Sequence, residues 1–216
     1  LLEDPNYIPP AKIPGKANVY ASGLKAEKIA DGKYKLSYTL NADAENVEIK
    51  VFKGDNMLKN MPLGAQTKGV NEQEIDLTDI SEQDLSWSVT AGAAPTTAEA
   101  PLKFTDDDVD QMQFKEARGL VVDNNMESPY FGRVYVTESA GGAIQGYRTT
   151  TDGVFILDAA LSDVTEQGND GYKGNIDWSN TSSPMRISVA SDGTLFITDW
   201  SDAHSGVWMM DPANPT

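Results

Sequence analysis

The acidic run Thr105-Asp-Asp-Asp-Val-Asp110 has side chains that could bind a cation. Asp106, Asp108 and Asp110 have the alternate spacing with which carboxylates surround calcium. Gln111 stands where an EF-hand loop has its turn glycine, and Ala117 stands where it has a bidentate glutamate, so an EF-hand is excluded. Two interpretations stay open, a calcium site and a solvated linker or first helical turn capped by Thr105. We expect no cofactor and keep calcium as the alternative.

His204 is the single histidine, in the segment Asp199-Trp-Ser-Asp-Ala-His-Ser-Gly206. One histidine and no cysteine exclude a two-histidine or thiolate metal site within the chain. A Ser-His-Asp arrangement of Asp202, His204 and Ser205 is conceivable, but the chain has no Gly-x-Ser-x-Gly motif. The alternative is a turn held by side chain to backbone hydrogen bonds, and it is the one we expect.

Composition limits the partners of this 216-residue chain, which carries a net charge of −16. Nucleic acids and anionic membrane surfaces need a Lys/Arg-rich face, so we expect neither as a partner. The apolar runs are too short to span a bilayer, and we expect no membrane-spanning segment. The charge is uneven, since residues 1–103 carry a net charge of −4 and residues 104–216 a net charge of −12.

The first half of the chain has the pattern of a small β-sandwich. Residues 1–17 contain four prolines and predict an extended tether. Alternation of apolar and polar residues predicts strands within residues 18–92, at Val19–Leu24, Tyr34–Leu40, Asn46–Phe52, Met57–Leu63, Val70–Leu77 and Leu85–Thr90. The small, Thr-rich and Pro-containing stretch that follows predicts a linker at residues 93–103.

Three features of this half carry a resemblance: Tyr34-Lys-Leu-Ser-Tyr-Thr-Leu40, Val47-Glu-Ile-Lys-Val-Phe52, and Gly69 with the run to Leu77. The half resembles the immunoglobulin-like domain of flagellar hook-capping proteins and its relatives in secreted bacterial proteins. It departs from that family where Ile75-Asp76-Leu77 replaces a Trp-Asp-Gly turn. The resemblance implies a domain that spaces and presents its neighbour.

The second half contains an internal repeat of three strand-like blocks in the same order. Arg118–Asp123 matches Arg186–Ser191, Gly132–Glu138 matches Gly193–Asp199, and Gly153–Asp158 matches Gly206–Asp211. Three such strands, with a fourth in the connecting segment, are the unit of a β-propeller blade. We therefore predict an all-β protein, an Ig-like sandwich followed at residues 104–216 by about two four-stranded antiparallel propeller blades.

The block Arg186-Ile-x-Val-Ala-x-Asp-Gly-Thr-Leu-Phe-Ile-Thr-Asp199 resembles blades of NHL-type and gluconolactonase-like propellers. Propellers close with roughly four to eight blades, so missing residues or other chains are expected to complete the ring. The resemblance implies that Glu138 and Asp199, at one repeat position, could help to hold a divalent cation. Arg118 and Arg186 also match each other. A structural role for such repeated residues stays open, and the metal is unknown.

Aromatic residues are the remaining candidates for binding. Trp178 and Trp200 are expected in or beside loops at a propeller rim, where indole rings can stack on sugars or anchor a protein. The alternative for both is a role in covering the core. Trp208 matches Phe155 inside a strand and is expected to pack between blades.

These patterns favour a non-catalytic binding protein over an enzyme. The order of sandwich and propeller is similar to surface proteins of Gram-negative bacteria, which implies an extracytoplasmic location in the periplasm, at the cell surface or outside the cell. The ligand would be a glycan or a protein, bound through candidates at Glu138, Asp199, Trp200, His204, Trp178, Arg118 and Arg186. The alternative is a metal-dependent propeller hydrolase or lactonase.

Overall fold

The computed structural model describes residues 19–82, 84–94, 105–164, 167–178, 183–201 and 204–213. These residues form antiparallel β-sheets and contain no α-helix; a single 3-10 turn lies at Asp110–Met112. The prediction of an all-β protein is confirmed. Within these ranges no helix has the length and apolarity needed to cross a bilayer. The predicted tether at residues 1–17 lies outside the described residues.

The first six strands form two three-stranded sheets. Their bounds are β1 Ala21–Ala30, β2 Lys33–Leu40, β3 Ala44–Lys53, β4 Asn56–Gln66, β5 Gly69–Asp76 and β6 Ser86–Gly92. One sheet has the order β1-β2-β5 and the other the order β4-β3-β6. β1 runs six residues beyond its predicted end at Leu24. Residues 23–30 are exposed on an edge strand, so no buried alternation marks them in the sequence.

Alternating apolar residues place the core between these two sheets. Leu36, Tyr38 and Leu40 of β2 pack in one cluster with residues of β3 from the other sheet, namely Val47, Ile49 and Val51. The polar residues between them point away from the cluster, as the two-residue period of a strand requires. The cluster joins both sheets into one two-layer unit.

The second half forms two further three-stranded sheets with matching strand order. The strands are β7 Ala117–Val122, β8 Val134–Glu138, β9 Gly142–Ala143, β10 Thr149–Thr150, β11 Gly153–Leu157, β12 Ile187–Val189, β13 Leu195–Asp199 and β14 Gly206–Met210. The first repeat sheet is β7-β8-β11 and the second repeat sheet is β12-β13-β14. β9 and β10 pair in a small hairpin. Each matched block of the sequence repeat therefore supplies a strand at the same place in its sheet.

The segment that connects the two repeats does not form the predicted fourth strand among its described residues. The described residues give three strands per repeat, and the connecting segment pairs with the first repeat sheet through isolated bridges at Tyr172 and Asp163. Gly168 and Gly174, both with positive φ, flank the Tyr172 bridge. That backbone conformation breaks an extended strand, which limits the pairing to a bridge.

The two repeat sheets pack face to face. We call the side of the first repeat sheet that carries Tyr135, Val154 and Ile156 its downstream face, and the opposite side its upstream face. This downstream face packs on the upstream face of the second repeat sheet, which carries Leu195, Ile197 and Met210. On the upstream face of the first repeat sheet, β8 and β11 are covered by other residues, among them Met112, Phe114 and Leu161. Consecutive repeats thus share one core.

Gly119 allows the closest approach between the two repeat sheets. A Cβ at this position would lie 3.1 Å from the Ile187 nitrogen and 3.1 Å from the Met185 carbonyl oxygen. The Thr137 hydroxyl adds a hydrogen bond across the same interface, donating to the Met185 carbonyl at 3.0 Å. The interface is therefore set by backbone contact as well as by apolar side chains.

The insertion between β7 and β8 connects the repeat sheets to the sandwich. Phe131 packs on Tyr20 with ring centroids 5.1 Å apart. The Asn125 side chain donates to the Ser191 carbonyl of the second repeat sheet at 2.7 Å. This one loop contacts both the sandwich and the second repeat sheet.

Tyr135 predicts a loss of stability at high pH. Its phenol is fully buried, and burial raises the pKa of Tyr135 to about 12, although Arg133 acts in the opposite direction. A raised pKa favours folding while the phenol is neutral, so this contribution is present below pH 10 and is lost as the pH rises from 10 to 12. The phenol oxygen has no hydrogen-bond partner among the described residues. Tyr135→Phe should therefore be at least as stable as the wild type at pH 7, because it removes a buried hydroxyl that has no partner in the described part of the chain. It should also unfold at a higher pH in alkaline titrations followed by circular dichroism.

Tyr20 and Tyr38 also have a raised pKa through burial, so the wild type and the variant will both unfold in alkali. The difference between them reports Tyr135. Identical alkaline midpoints would contradict the assignment.

Candidate functional site

Glu138 ends β8 and is fully buried. Its carboxylate accepts the backbone N–H of Lys115 at 2.8 Å and that of Glu116 at 2.6 Å, with Ala140 at 3.5 Å. Burial raises the pKa of Glu138 by more than these hydrogen bonds lower it. Both oxygens are occupied by the segment that leads into β7, so the side chain closes the end of its own repeat sheet.

Asp199 ends β13 and makes the corresponding contact. Its Oδ1 accepts the Ser183 hydroxyl and, at 2.6 Å, the Ser201 backbone N–H. Gly206 is its cross-strand neighbour. The indole N–H of Trp208 lies near the carboxylate without a hydrogen bond of normal geometry. Burial acts to raise the pKa of Asp199, but Ser183, Ser201 and Trp208 together hold it below its ordinary value.

The two carboxylates bind residues at equivalent positions of the repeat. Lys115 and Ser183 are 68 residues apart, and each lies just before the first strand of its repeat. Glu138 binds the backbone of Lys115, and Asp199 binds the side chain of Ser183. Each repeat thus fastens the end of its second strand to the entry of its first, which is a structural use of the repeated acid. The described residues include no group of three or more His, Cys, Asp or Glu side chains that could hold a metal ion.

Arg118 and Arg186 are not equivalent in the sheets, although the sequence aligns them. Ala117 pairs with Glu138 and Gly119 pairs with Thr137, so Arg118 is an extra residue in a β-bulge. The backbone N–H and carbonyl of Arg186 both form hydrogen bonds with Thr198, the counterpart of Thr137, which makes Arg186 the structural match of Gly119. The bulge shifts the register by one residue, a change that sequence matching cannot detect.

Both arginines have partners within the chain. Arg118 donates to Ser139 at 2.9 Å and pairs with Glu116 at 2.8 Å. Arg186 reaches across the interface and donates to the Arg118 carbonyl at 2.7 Å. Arg186 therefore links the two repeat sheets, and both side chains remain exposed to solvent.

Trp178 is a core residue, which corrects the expectation that it could lie in an exposed loop. Its side chain is 1% exposed and packs in the cluster between the two repeat sheets. Its indole N–H donates to the Lys173 carbonyl at 3.1 Å. A ring enclosed on all sides cannot stack on a ligand, so Trp178 leaves the set of binding candidates.

Trp200 and His204 lie at the same end of the sheets as Glu138 and Asp199, and both are exposed. Trp200 is 67% exposed, yet its backbone N–H is held by the Ser183 hydroxyl at 2.8 Å. The backbone of His204 donates to the Ser201 hydroxyl at 3.1 Å, and its ring lies edge-on to Trp208 with centroids 6.5 Å apart. Asp202, the aspartate of the conceivable triad, lies outside the described residues.

No family model, curated protein or solved structure matches this chain. The end of the repeat sheets that carries Trp200 combines an exposed indole on a fixed backbone with exposed polar side chains from both repeats, namely Arg118, Arg186 and His204.

The acidic run near residue 106 forms a turn. Asp106, Asp108 and Asp110 are all exposed, and the Asp106 side chain accepts the Asp108 backbone N–H at 2.9 Å. The run leads into the 3-10 turn, where Met112 enters the core, and not into an α-helix. The turn therefore positions a core residue.

Sequence reasoning missed two residues that organise this end of the molecule. Ser183 is fully buried and bonds both Asp199 and the Trp200 backbone. It lies 68 residues after Lys115 but differs from it in residue type, so the sequence repeat does not mark it. Arg148 is buried and unique to the first repeat, so no repeat pattern marks it.

Proposed function

We propose that this chain is a non-catalytic binding protein whose loop end around Trp200 binds a glycan. The observation that carries the proposal is the indole of Trp200, two-thirds exposed on a backbone fixed by Ser183. Aromatic rings with an apolar face and polar surroundings suit the stacking of sugar rings. The neighbouring groups at this end are polar, whereas the centre of a protein interface is more apolar and depleted of charge.

The proposal includes the architecture that presents this surface. The two repeat sheets would be the first blades of a propeller, and the sandwich would be an Ig-like spacer, as the sequence resemblances imply. An extracytoplasmic location in a Gram-negative bacterium follows from the same resemblances. The equivalence of strand order in the two repeat sheets supports the propeller interpretation.

Structural roles for the repeated acids favour binding over catalysis. Glu138 uses both oxygens on backbone N–H groups, and Asp199 holds Ser183 and Ser201. Hydrolysis through these carboxylates would require them to face a substrate or an ion. A binding surface needs only the exposed groups beside them.

Affinity electrophoresis in gels containing soluble neutral and acidic polysaccharides tests the proposal. The wild type should be retarded by at least one polysaccharide, and Trp200→Ala should weaken that binding by about tenfold, because an aromatic stacking contact contributes roughly 1–1.5 kcal/mol. Met126→Ala is the matched control, since Met126 is a large exposed apolar residue in the loop at the opposite end of the sheets. Its retardation should equal that of the wild type.

Two results would overturn the proposal. One is the absence of retardation by every polysaccharide. The other is equal retardation of the wild type and Trp200→Ala, which would place any glycan contact elsewhere. Thermal unfolding of both variants should stay within a few degrees of the wild type, because both residues are exposed.

A further inference from the structure

The downstream face of the second repeat sheet is open, whereas the same face of the first is covered. Val154 and Ile156 are 0% and 2% exposed. Their counterparts in the repeat, Val207 and Met209, are 66% and 72% exposed. Side chains of the same type at the same positions are thus buried in one repeat and in solvent in the next.

Gly206 shows the same contrast in the backbone. Gly153 has φ +136°, and a Cβ on it would lie 2.6 Å from the Tyr172 carbonyl oxygen, where the connecting segment bridges Val154. Gly206 has nearly the same φ, +151°, but no atom lies within 4 Å of its Cβ position. The glycine that makes room for a bridging segment is present in the second repeat, and the described residues place no segment there.

The two outer faces of the pair of packed sheets differ. On the upstream face of the first repeat sheet, Met112, Phe114 and Leu161 cover β8 and β11, and Leu120 at the β7 edge is exposed. Terminal units of a repeat array need such a cap or a polar outer face to stay soluble. In the part of the chain that the structure describes, the second repeat sheet has neither, since Val207 and Met209 project into solvent and β14 is an edge strand.

We propose that a third sheet of the same repeat, joined in cis as the second is joined to the first, covers Phe196, Val207 and Met209 and bridges β14 at Val207. The interface between the two repeat sheets indicates which residues the third sheet would carry. The third sheet would present an upstream face like that of Leu195, Ile197 and Met210, and its connecting segment would carry an equivalent of Tyr172. Thr198 corresponds to Thr137, which bonds the next repeat sheet through the Met185 carbonyl.

A second copy of this chain fits the open face less well. The upstream face of the second repeat sheet is covered by the first repeat sheet. On the upstream face of the first, Met112 and Phe114 cover β8 and β11, whereas Leu120 of β7 is exposed. The described residues of another copy therefore offer no free face like that of Leu195, Ile197 and Met210. A further repeat therefore fits the open face better than a second copy does.

The experiment extends the chain by one repeat and measures thiol accessibility. The extended protein consists of residues 1–210 followed by a second copy of residues 158–213, since Met210 and Leu157 end equivalent strands. The chain has no cysteine, so Val207→Cys provides a single reactive thiol in the 216-residue protein and in the extended one. Reaction with a thiol reagent should be at least ~100-fold slower in the extended protein, because the thiol would react only after local opening.

Circular dichroism and thermal unfolding show whether the appended sheet folds and whether it packs on the second repeat sheet. Circular dichroism should show added β-structure, and the thermal midpoint should rise by a few degrees because a repeat interface is gained. An unprotected thiol in the extended Val207→Cys protein, with or without added β-structure, overturns the proposal. In the 216-residue variant, protection of the same thiol could instead rise with protein concentration. That result would assign the open face to a second copy and would also overturn the proposal.

Discussion

Arg148→Ala is expected to lower the free energy of unfolding by about 3–4 kcal/mol, one of the two strongest effects in this chain. The buried guanidinium donates to the carbonyls of Gln113 at 2.9 Å, Gly168 at 3.2 Å and Gln111 at 3.0 Å. It lies between two aromatic rings, 5.1 Å from the Phe114 centroid and 5.0 Å from the Phe155 centroid. Removing it leaves the carbonyls without their donor and opens a cavity between the rings.

Arg148 thereby fastens two loops to the upstream face of the first repeat sheet. Burial lowers the pKa of Arg148, but a guanidinium stays charged at any ordinary pH. Arg148→Lys is the informative comparison, because one ammonium group can replace the charge but not the three-way geometry. Urea unfolding should give the order wild type, lysine variant, alanine variant. Equal stability of the wild type and the alanine variant would show that these contacts do not hold the loops.

Gly153→Ala is expected to cost about 3–5 kcal/mol, and Gly206→Ala about 1–2 kcal/mol. Both glycines have a positive φ that an L side chain rarely adopts, so both variants carry backbone strain. Only at Gly153 would the new methyl group also collide with backbone, at 2.6 Å from the Tyr172 carbonyl oxygen and 2.7 Å from the Gly171 carbonyl carbon. The difference between the variants isolates the contact with the connecting segment.

The two glycine variants control for each other. They change the same residue type at equivalent positions of the repeat, and chemical denaturation of both proteins under one set of conditions gives the comparison directly. A larger loss for Gly206→Ala, or equal losses for both, would mean that the connecting segment does not pack on β11 as described.

The sandwich strands were predictable because one face of each strand is buried. Alternation at Leu36, Tyr38 and Leu40 gave β2 to within one residue, and Val47, Ile49 and Val51 gave β3 to within two. The second half of β1 was not predictable, since its exposed residues do not alternate between apolar and polar types. The alternation of apolar and polar residues indicates which residues are buried. It cannot predict a strand that is held only by hydrogen bonds at the edge of a sheet.

The repeat was also visible in the sequence, but its register was not fully determined. Gly132 and Gly193 begin equivalent blocks, and the strands that follow lie at equivalent places. The bulge at Arg118 adds a residue to the first repeat, so the two arginines that align in sequence are one position apart in the sheets. A bulge depends on cross-strand pairing, which an alignment of one strand with another does not contain.

The candidate site shows where prediction from residue type ends. The equivalence of Glu138 and Asp199 was apparent, but the partners that decide between structure and chemistry were not, because they are backbone N–H groups and a serine from distant segments. Trp178 and Trp200 look alike in the sequence. Tertiary packing buries the first and leaves the second exposed.

The face-to-face packing of the two repeat sheets positions the loop end around Trp200. Thiol accessibility at two equivalent positions of the repeat tests this packing most directly. Val154 and Val207 are counterparts in the repeat, and the chain has no cysteine of its own. In the 216-residue protein, the thiol of Val207→Cys should react with a thiol reagent at nearly the rate of a free thiol. The thiol of Val154→Cys should react at least ~100-fold more slowly, since only opening of the interface exposes it. Equal rates would contradict the face-to-face packing of the two repeat sheets.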